Sequence, residues 1–170
     1  QLADQRPSHM VLPAIHMFRD QVAELFSRET GRNEPPKIEH LVNVARKKLR
    51  KEYLEADMGI TGANIAVAEN GSIVLVTNEG NARLVTTLPP IHVVLMGREK
   101  LVHTLEDAEK ILRVLPKNAT GQNITSYVTW IRGTIPIGEE EKELHIVVLD
   151  NGRSRLTESE TCKSALRCIR

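Results

Sequence analysis

The sequence predicts an α/β layered fold with a mostly parallel, mixed sheet flanked by helices. Three observations carry this. Helical repeats and short apolar runs are interspersed along the chain. The apolar runs do not alternate with polar residues, as strands buried on both faces do not. One Asn-Gly pair between two such runs marks a hairpin, which makes the sheet mixed.

The elements follow in order. Residues 10–14 (Met-Val-Leu-Pro-Ala) read as a short buried strand stopped by proline. Phe18, Val22, Leu25 and Phe26 share one face of a helix over 18–29, with Gly31 as its stop. Ile38, Leu41, Val42, Ala45, Leu49 and Tyr53 recur at helical spacing, and residues 57–59 are expected to end that helix. Runs at 63–68 and 73–76 form the hairpin around Glu69-Asn70-Gly71-Ser72, followed by a polar turn over 77–81. Residues 91–96 read as a buried strand closed by Gly97. Thr104 with Asp107 three positions on opens a helix, which Pro116 is expected to follow. Residues 124–131 and 144–149 read as strands separated by an acidic loop. Asp150-Asn151-Gly152 turns the chain, and a short helix starts at Glu160.

Composition narrows the function classes. The 170 residues suit one domain, and 41% hydrophobic with 26% charged is ordinary for a globular protein. Aromatics make up 3%, so the core must be aliphatic. A net charge of +1 gives no field for nucleic acid or anionic membrane. The basic run Lys47, Lys48, Arg50 and Lys51 lacks interleaved aromatics and reads as a solvated helix face. No apolar run is long enough to span a bilayer, and no signal peptide is evident, which makes the cytoplasm the expected compartment.

Several polar groups are candidates for chemistry. Glu69, at the hairpin turn, is either an acid, base or nucleophile, or a turn carboxylate accepting backbone N–H groups. Asn78, Glu79, Gly80 and Asn81 follow a buried strand, where ligands of open α/β sheets collect; Gly59, Thr61, Gly62 and Asn64 are expected to face the same crevice. Their alternative is turn and cap duty. His9, His16 and His92 lie beside strands, suited to metal or proton transfer, although their spacing matches no metal motif. His40, His103 and His145 read as structural. Arg132 is either a carboxylate clamp or a surface ion-pair partner. No nucleotide-binding glycine fingerprint occurs.

The stretch from Met58-Gly59-Ile60-Thr61-Gly62-Ala63-Asn64 through Asn78-Glu79-Gly80-Asn81 resembles the LUD domain of bacterial lactate-utilisation proteins. Pro7-Ser8-His9, Pro13-Ala14-Ile15-His16, Pro90-Ile91-His92 and Asp150-Asn151-Gly152-Arg153-Ser154-Arg155-Leu156 extend the likeness, as does the ending Ala165-Leu166-Arg167-Cys168-Ile169-Arg170. The larger iron–sulfur subunit is the nearer match. The resemblance implies a fold shared with glucosamine-phosphate deaminase, ribose-phosphate isomerase and CoA transferases, with the N-terminal part of the domain missing and compensated by self-association into a homo-oligomer. It implies a partial LUD domain over 1–156 and the start of a linker over 157–170. Beyond Cys168 it implies a ferredoxin-like region of C-x2-C-x2-C-x3-C-P type holding 4Fe–4S clusters. Cys168 would be the first ligand of that motif, Cys162 falls outside its spacing, and this stretch alone would hold no iron.

By the same resemblance the function is that of a subunit of an L-lactate oxidation complex. The iron–sulfur region would carry electrons, the LUD domain would bind a ligand or partner, and other lactate-utilisation subunits would be its partners. The stretch alone is then expected to be inactive. The alternative is an isomerase- or CoA-transferase-like enzyme with Glu69 as the catalytic carboxylate.

Overall fold

The computed structural model describes residues 6, 14–134 and 141–167. The chain divides into two compact units, Gln1–Glu52 and Tyr53–Arg170. Most of the strand expected over 10–14, and with it His9, lies outside the described residues. Ala14–His16 form a turn instead, closed by Met17 N–H donating to the Ala14 carbonyl.

In the first unit the helices form where the apolar spacing places them. Helix α1 spans Arg19–Thr30, and Gly31 ends it at φ 68°, a left-handed conformation that glycine adopts without a Cβ penalty. The Gln21 side chain accepts the orphan Phe18 N–H at 2.8 Å. Helix α2 runs over Ile38–Glu55. Glu34, between them, accepts from Thr30 and pairs with His40, while its own N–H donates to Ser27. The Lys48–Glu29 ion pair joins the two helices, so part of the basic run is neutralised locally.

Among its described residues the second unit holds seven strands in two sheets. Strands β1 (Met58–Thr61), β4 (Ile91–Gly97) and β7 (Glu143–Leu149) form an all-parallel sheet in the order β1-β4-β7. Strands β2 (Ile65–Val67), β3 (Ser72–Thr77), β5 (Leu101–Val102) and β6 (Tyr127–Ile131) form a second sheet in the order β5-β2-β3-β6. Here β2·β3 and β3·β6 are antiparallel and β2·β5 is parallel. Three of the five pairings are parallel, so the class is α/β with mostly parallel, mixed pairing, as the apolar runs predict.

Two aliphatic cores hold these layers. Helix α4 (Leu105–Thr120) covers one face of the second sheet, with Ile65, Val67, Val74 and Ala108 buried between them. The other face of that sheet meets the parallel sheet through Ala66, Ile73, Val94 and Met96. Strands β2 and β3 are therefore buried on both sides, which is why their sequences do not alternate. Burying an aliphatic side chain of this size contributes roughly 1.5–3 kcal/mol.

Local chemistry sets the boundaries. Gly71 turns the hairpin at φ 70°, and the Asn70 carboxamide accepts the Ser72 N–H. Thr104 and Asp107 form the expected capping box on α4. Pro116 lies inside α4 rather than after it, and Gly121 ends the helix in the left-handed region. Three elements depart from the expectations. Residues 58–61 go on from the expected helix stop into strand β1, Asn81–Thr87 form helix α3 after the expected turn, and β5 pairs with β2. Each is short and draws its stability from neighbours rather than from its own pattern. Gly59 makes the β1–α3 contact: a Cβ there would lie 2.2 Å from the Val85 carbonyl oxygen. Beyond β7, Asn151 (φ 44°) and Gly152 (φ 79°) make the turn into the short helix α5 (Arg153–Leu156), and α6 (Glu160–Lys163) follows.

Candidate functional site

A cleft is lined by residues of both sheets and of α3, and its chemistry is built from four separate segments. Strand β4 supplies His92, and β6 with the residues after it supplies Thr129, Ile131, Arg132 and Thr134. Lys142 and Leu144 come from the start of β7, and Thr86 and Thr87 from the last turn of α3. The volume is about 680 Å³, within the range of small-ligand sites. Trp130 also borders it, but pairs with Val74, whose side chain packs toward α4. Strand alternation therefore puts the indole on the α4 side, away from the cleft wall formed by Thr129 and Ile131.

His92 is the deepest polar group, with 1% of its surface exposed. It shares a 2.8 Å hydrogen bond with Thr61 Oγ1 through Nε2. Burial pushes its pKa below the ordinary 6.5, and the charge of Lys142 adds to the effect. The ring is therefore neutral near pH 7. Lys142 is half-buried, and desolvation lowers its pKa from the usual 10.5. Its ammonium donates to the Thr86 carbonyl at the C-terminal turn of α3, a favourable position for a cation. Arg132 stands at the exposed rim. Among the described lining residues there is no carboxylate. Its described lining combines two cations, four threonine hydroxyls and the aliphatic side chains of Ile131 and Leu144.

The residues singled out in the sequence fall in different places. His92 lines the cleft, and Thr61 supports it. Glu69 and Asn78 stand before and after the six-residue strand β3, about 20 Å apart at strand rise. Those two turns therefore do not face one crevice. The exposed Glu69 carboxylate accepts the Leu105 N–H at the start of α4, and its own N–H donates to the His103 carbonyl. Asn78 ties the end of β3 to the segment before β6, donating to Gln122 and accepting from Thr125 and Ser126. The Glu79 carbonyl accepts from Thr77, Gly80 is the N-cap of α3, and the Asn81 side chain accepts from Ala82 N–H. Asn64 accepts the Val76 N–H at 2.8 Å and shapes the hairpin. Gly59 admits α3, and Gly62 is exposed. His16 sits in the 14–16 turn of the first unit. His9 and Cys168 lie outside the described residues.

Sequence reasoning missed Lys142, Leu144, Thr86, Thr87 and Thr129 as cleft residues. Lys142 closes the acidic loop before β7, and nothing local separates it from any other surface lysine. The only usable signal was its place directly before an apolar run that forms strand β7.

The family model described as the LUD domain matches residues 5–155. Lactate utilization protein B of Macrococcus caseolyticus (strain JCSC5402) is 46% identical over 168 residues, covering 96% of this chain and 35% of that protein. The protein of the same name from Lysinibacillus sphaericus (strain C3-41) is 46% identical over 173 residues, covering 100% of this chain and 36% of its own length. The chain thus spans about a third of the curated relatives it matches. A crystal structure of a DUF162 family protein from Deinococcus radiodurans superposes with a TM-score of 0.42 at 24% identity, covering 58% of this chain and 56% of that one. With the match running from residue 5 to residue 155, across both compact units, the chain belongs to the LUD domain family.

Proposed function

We propose that this chain is the LUD portion of an iron–sulfur subunit that takes part in bacterial L-lactate oxidation, working in the cytoplasm with other lactate-utilisation subunits. The observation that carries the reading is the 46% identity to proteins named Lactate utilization protein B across nearly the whole chain. In this reading the LUD domain recognises a ligand or partner, and 4Fe–4S clusters outside it move electrons.

The described residues do not themselves fit a cluster. They contain no group of three or more histidine, cysteine or acidic side chains able to hold a metal, and the one described thiol, Cys162, is exposed. A single thiolate cannot retain a cluster that needs four. No step is therefore assigned to iron here. What the LUD domain contributes is the cationic cleft around His92 and Lys142. No described helix is long and apolar enough to cross a membrane.

The rival reading, a CoA-transferase- or isomerase-like enzyme with Glu69 as catalytic carboxylate, is less well supported. Glu69 holds the start of α4 and is not among the residues lining the cleft. The test uses the full-length protein, expressed and purified without oxygen. Visible iron–sulfur absorbance that bleaches when L-lactate and the partner subunits are added is the expected result. A full-length protein that takes up no iron, or a deletion strain that oxidises lactate at the parental rate, overturns the proposal.

A further inference from the structure

We propose that the cleft between β4, β6 and the start of β7 binds a small monocarboxylate with an aliphatic tail longer than that of lactate, its carboxylate on Lys142 and Arg132. The inference rests on the functional reading above only in taking 2-oxo acids as probes. The site itself stands on geometry.

Charge comes first. Two cations, Lys142 and Arg132, border the cleft among the described residues. Lys142 has three N–H donors, of which the structure shows one donated to the Thr86 carbonyl. The remaining donors and the partial desolvation of the ammonium make an incoming carboxylate a strong partner, because charge-assisted bonds strengthen away from bulk water. His92 stays neutral and adds no third positive charge.

The kind of anion follows from what surrounds it. Phosphate sites use helix N-termini or glycine-rich runs of backbone N–H groups. Here α3 presents its C-terminal turn, whose carbonyls repel a dianion. A single negative charge suits the place better than a doubly charged phosphate.

Size and polarity set the rest. Lactate and pyruvate have six non-hydrogen atoms and would leave most of a cleft of about 680 Å³ to water. Ile131 and Leu144 form an apolar wall, and both also pack against the core between the sheets. A branched four-carbon tail would cover that wall, and each fully buried carbon is worth about fourfold in affinity.

Isothermal titration of the 170-residue chain with 4-methyl-2-oxopentanoate, pyruvate and inorganic phosphate tests this. The expected order is 4-methyl-2-oxopentanoate at least about fivefold tighter than pyruvate, with phosphate weakest. Lys142→Met is expected to lose at least about tenfold for both carboxylates. Arg132→Gln, at an exposed position that leaves folding intact, is expected to lose about threefold and decides the matter if Lys142→Met does not fold. Silence with both carboxylates, phosphate binding tighter than either, pyruvate binding as tightly as the longer acid, or a folded variant without loss each overturns the proposal.

Discussion

Gly59→Ala is the substitution whose cost the structure states most directly. The new Cβ would sit 2.2 Å from the Val85 carbonyl oxygen and 3.0 Å from Val85 Cγ1. Helix α3 has to retreat by about 1 Å to restore the 3.4 Å of an ordinary contact. Neither atom is the tip of a flexible side chain, so the strain falls on backbone. Overpacking of this kind costs roughly 1–3 kcal/mol. Removing a glycine from a strand returns about 0.5–1 kcal/mol. The midpoints of those ranges leave a net loss of about 1 kcal/mol, or roughly 2–4 °C in Tm for a chain of this length. Thermal unfolding followed by circular dichroism measures it. Gly62→Ala is the internal control, because its Cβ would meet only the Leu95 carbonyl oxygen at 3.8 Å; its effect should stay within about 0.5 kcal/mol. A Gly59→Ala protein that melts at or above the parent temperature refutes the close β1–α3 contact. It would also remove the reason for α3 to carry Thr86 and Thr87 into the cleft wall.

Two further outcomes follow from His92 and Glu69. The His92 pKa is depressed in the folded chain relative to 6.5, so the unfolded chain binds the extra proton. Stability is then full above pH 6.5 and declines as the pH falls from 6.5 toward the folded value. Urea midpoints at pH 8 and pH 5.5 should show that decline in the parent and a smaller one in His92→Gln; equal slopes would contradict the buried neutral ring. Glu69→Gln keeps an acceptor for the Leu105 N–H, so it should change stability by less than about 1 kcal/mol and leave carboxylate binding unaltered. Lost binding in a folded Glu69→Gln protein would bring that residue back into the site.

The sequence by itself determined the elements whose signals are local. Helices α1, α2 and α4 carry apolar residues at helical spacing, and two of them end at a glycine that takes positive φ. The β2–β3 hairpin is written in Asn70-Gly71, and the family is carried by motifs contiguous in the chain. The aliphatic, non-alternating runs predicted the α/β class, but burial on both faces holds for β2 and β3 only: β7 is mostly exposed and β4 buries alternate residues. Only the tertiary structure decided that the strands divide between two sheets, because partner choice depends on strands far apart in sequence: β4 pairs with β1 and β7, β3 with β2 and β6. The same holds for the cleft. Its walls come from residues 86–87, 92, 129–134 and 142–144, and no local pattern brings those together. Glu69 and Asn78 lie close in sequence, yet the strand between them holds their turns at opposite ends. His92 was one of three histidines marked in the sequence, and burial against Thr61 beside Lys142 set it apart from the others, because desolvation depends on three-dimensional packing and leaves no trace in neighbouring residues.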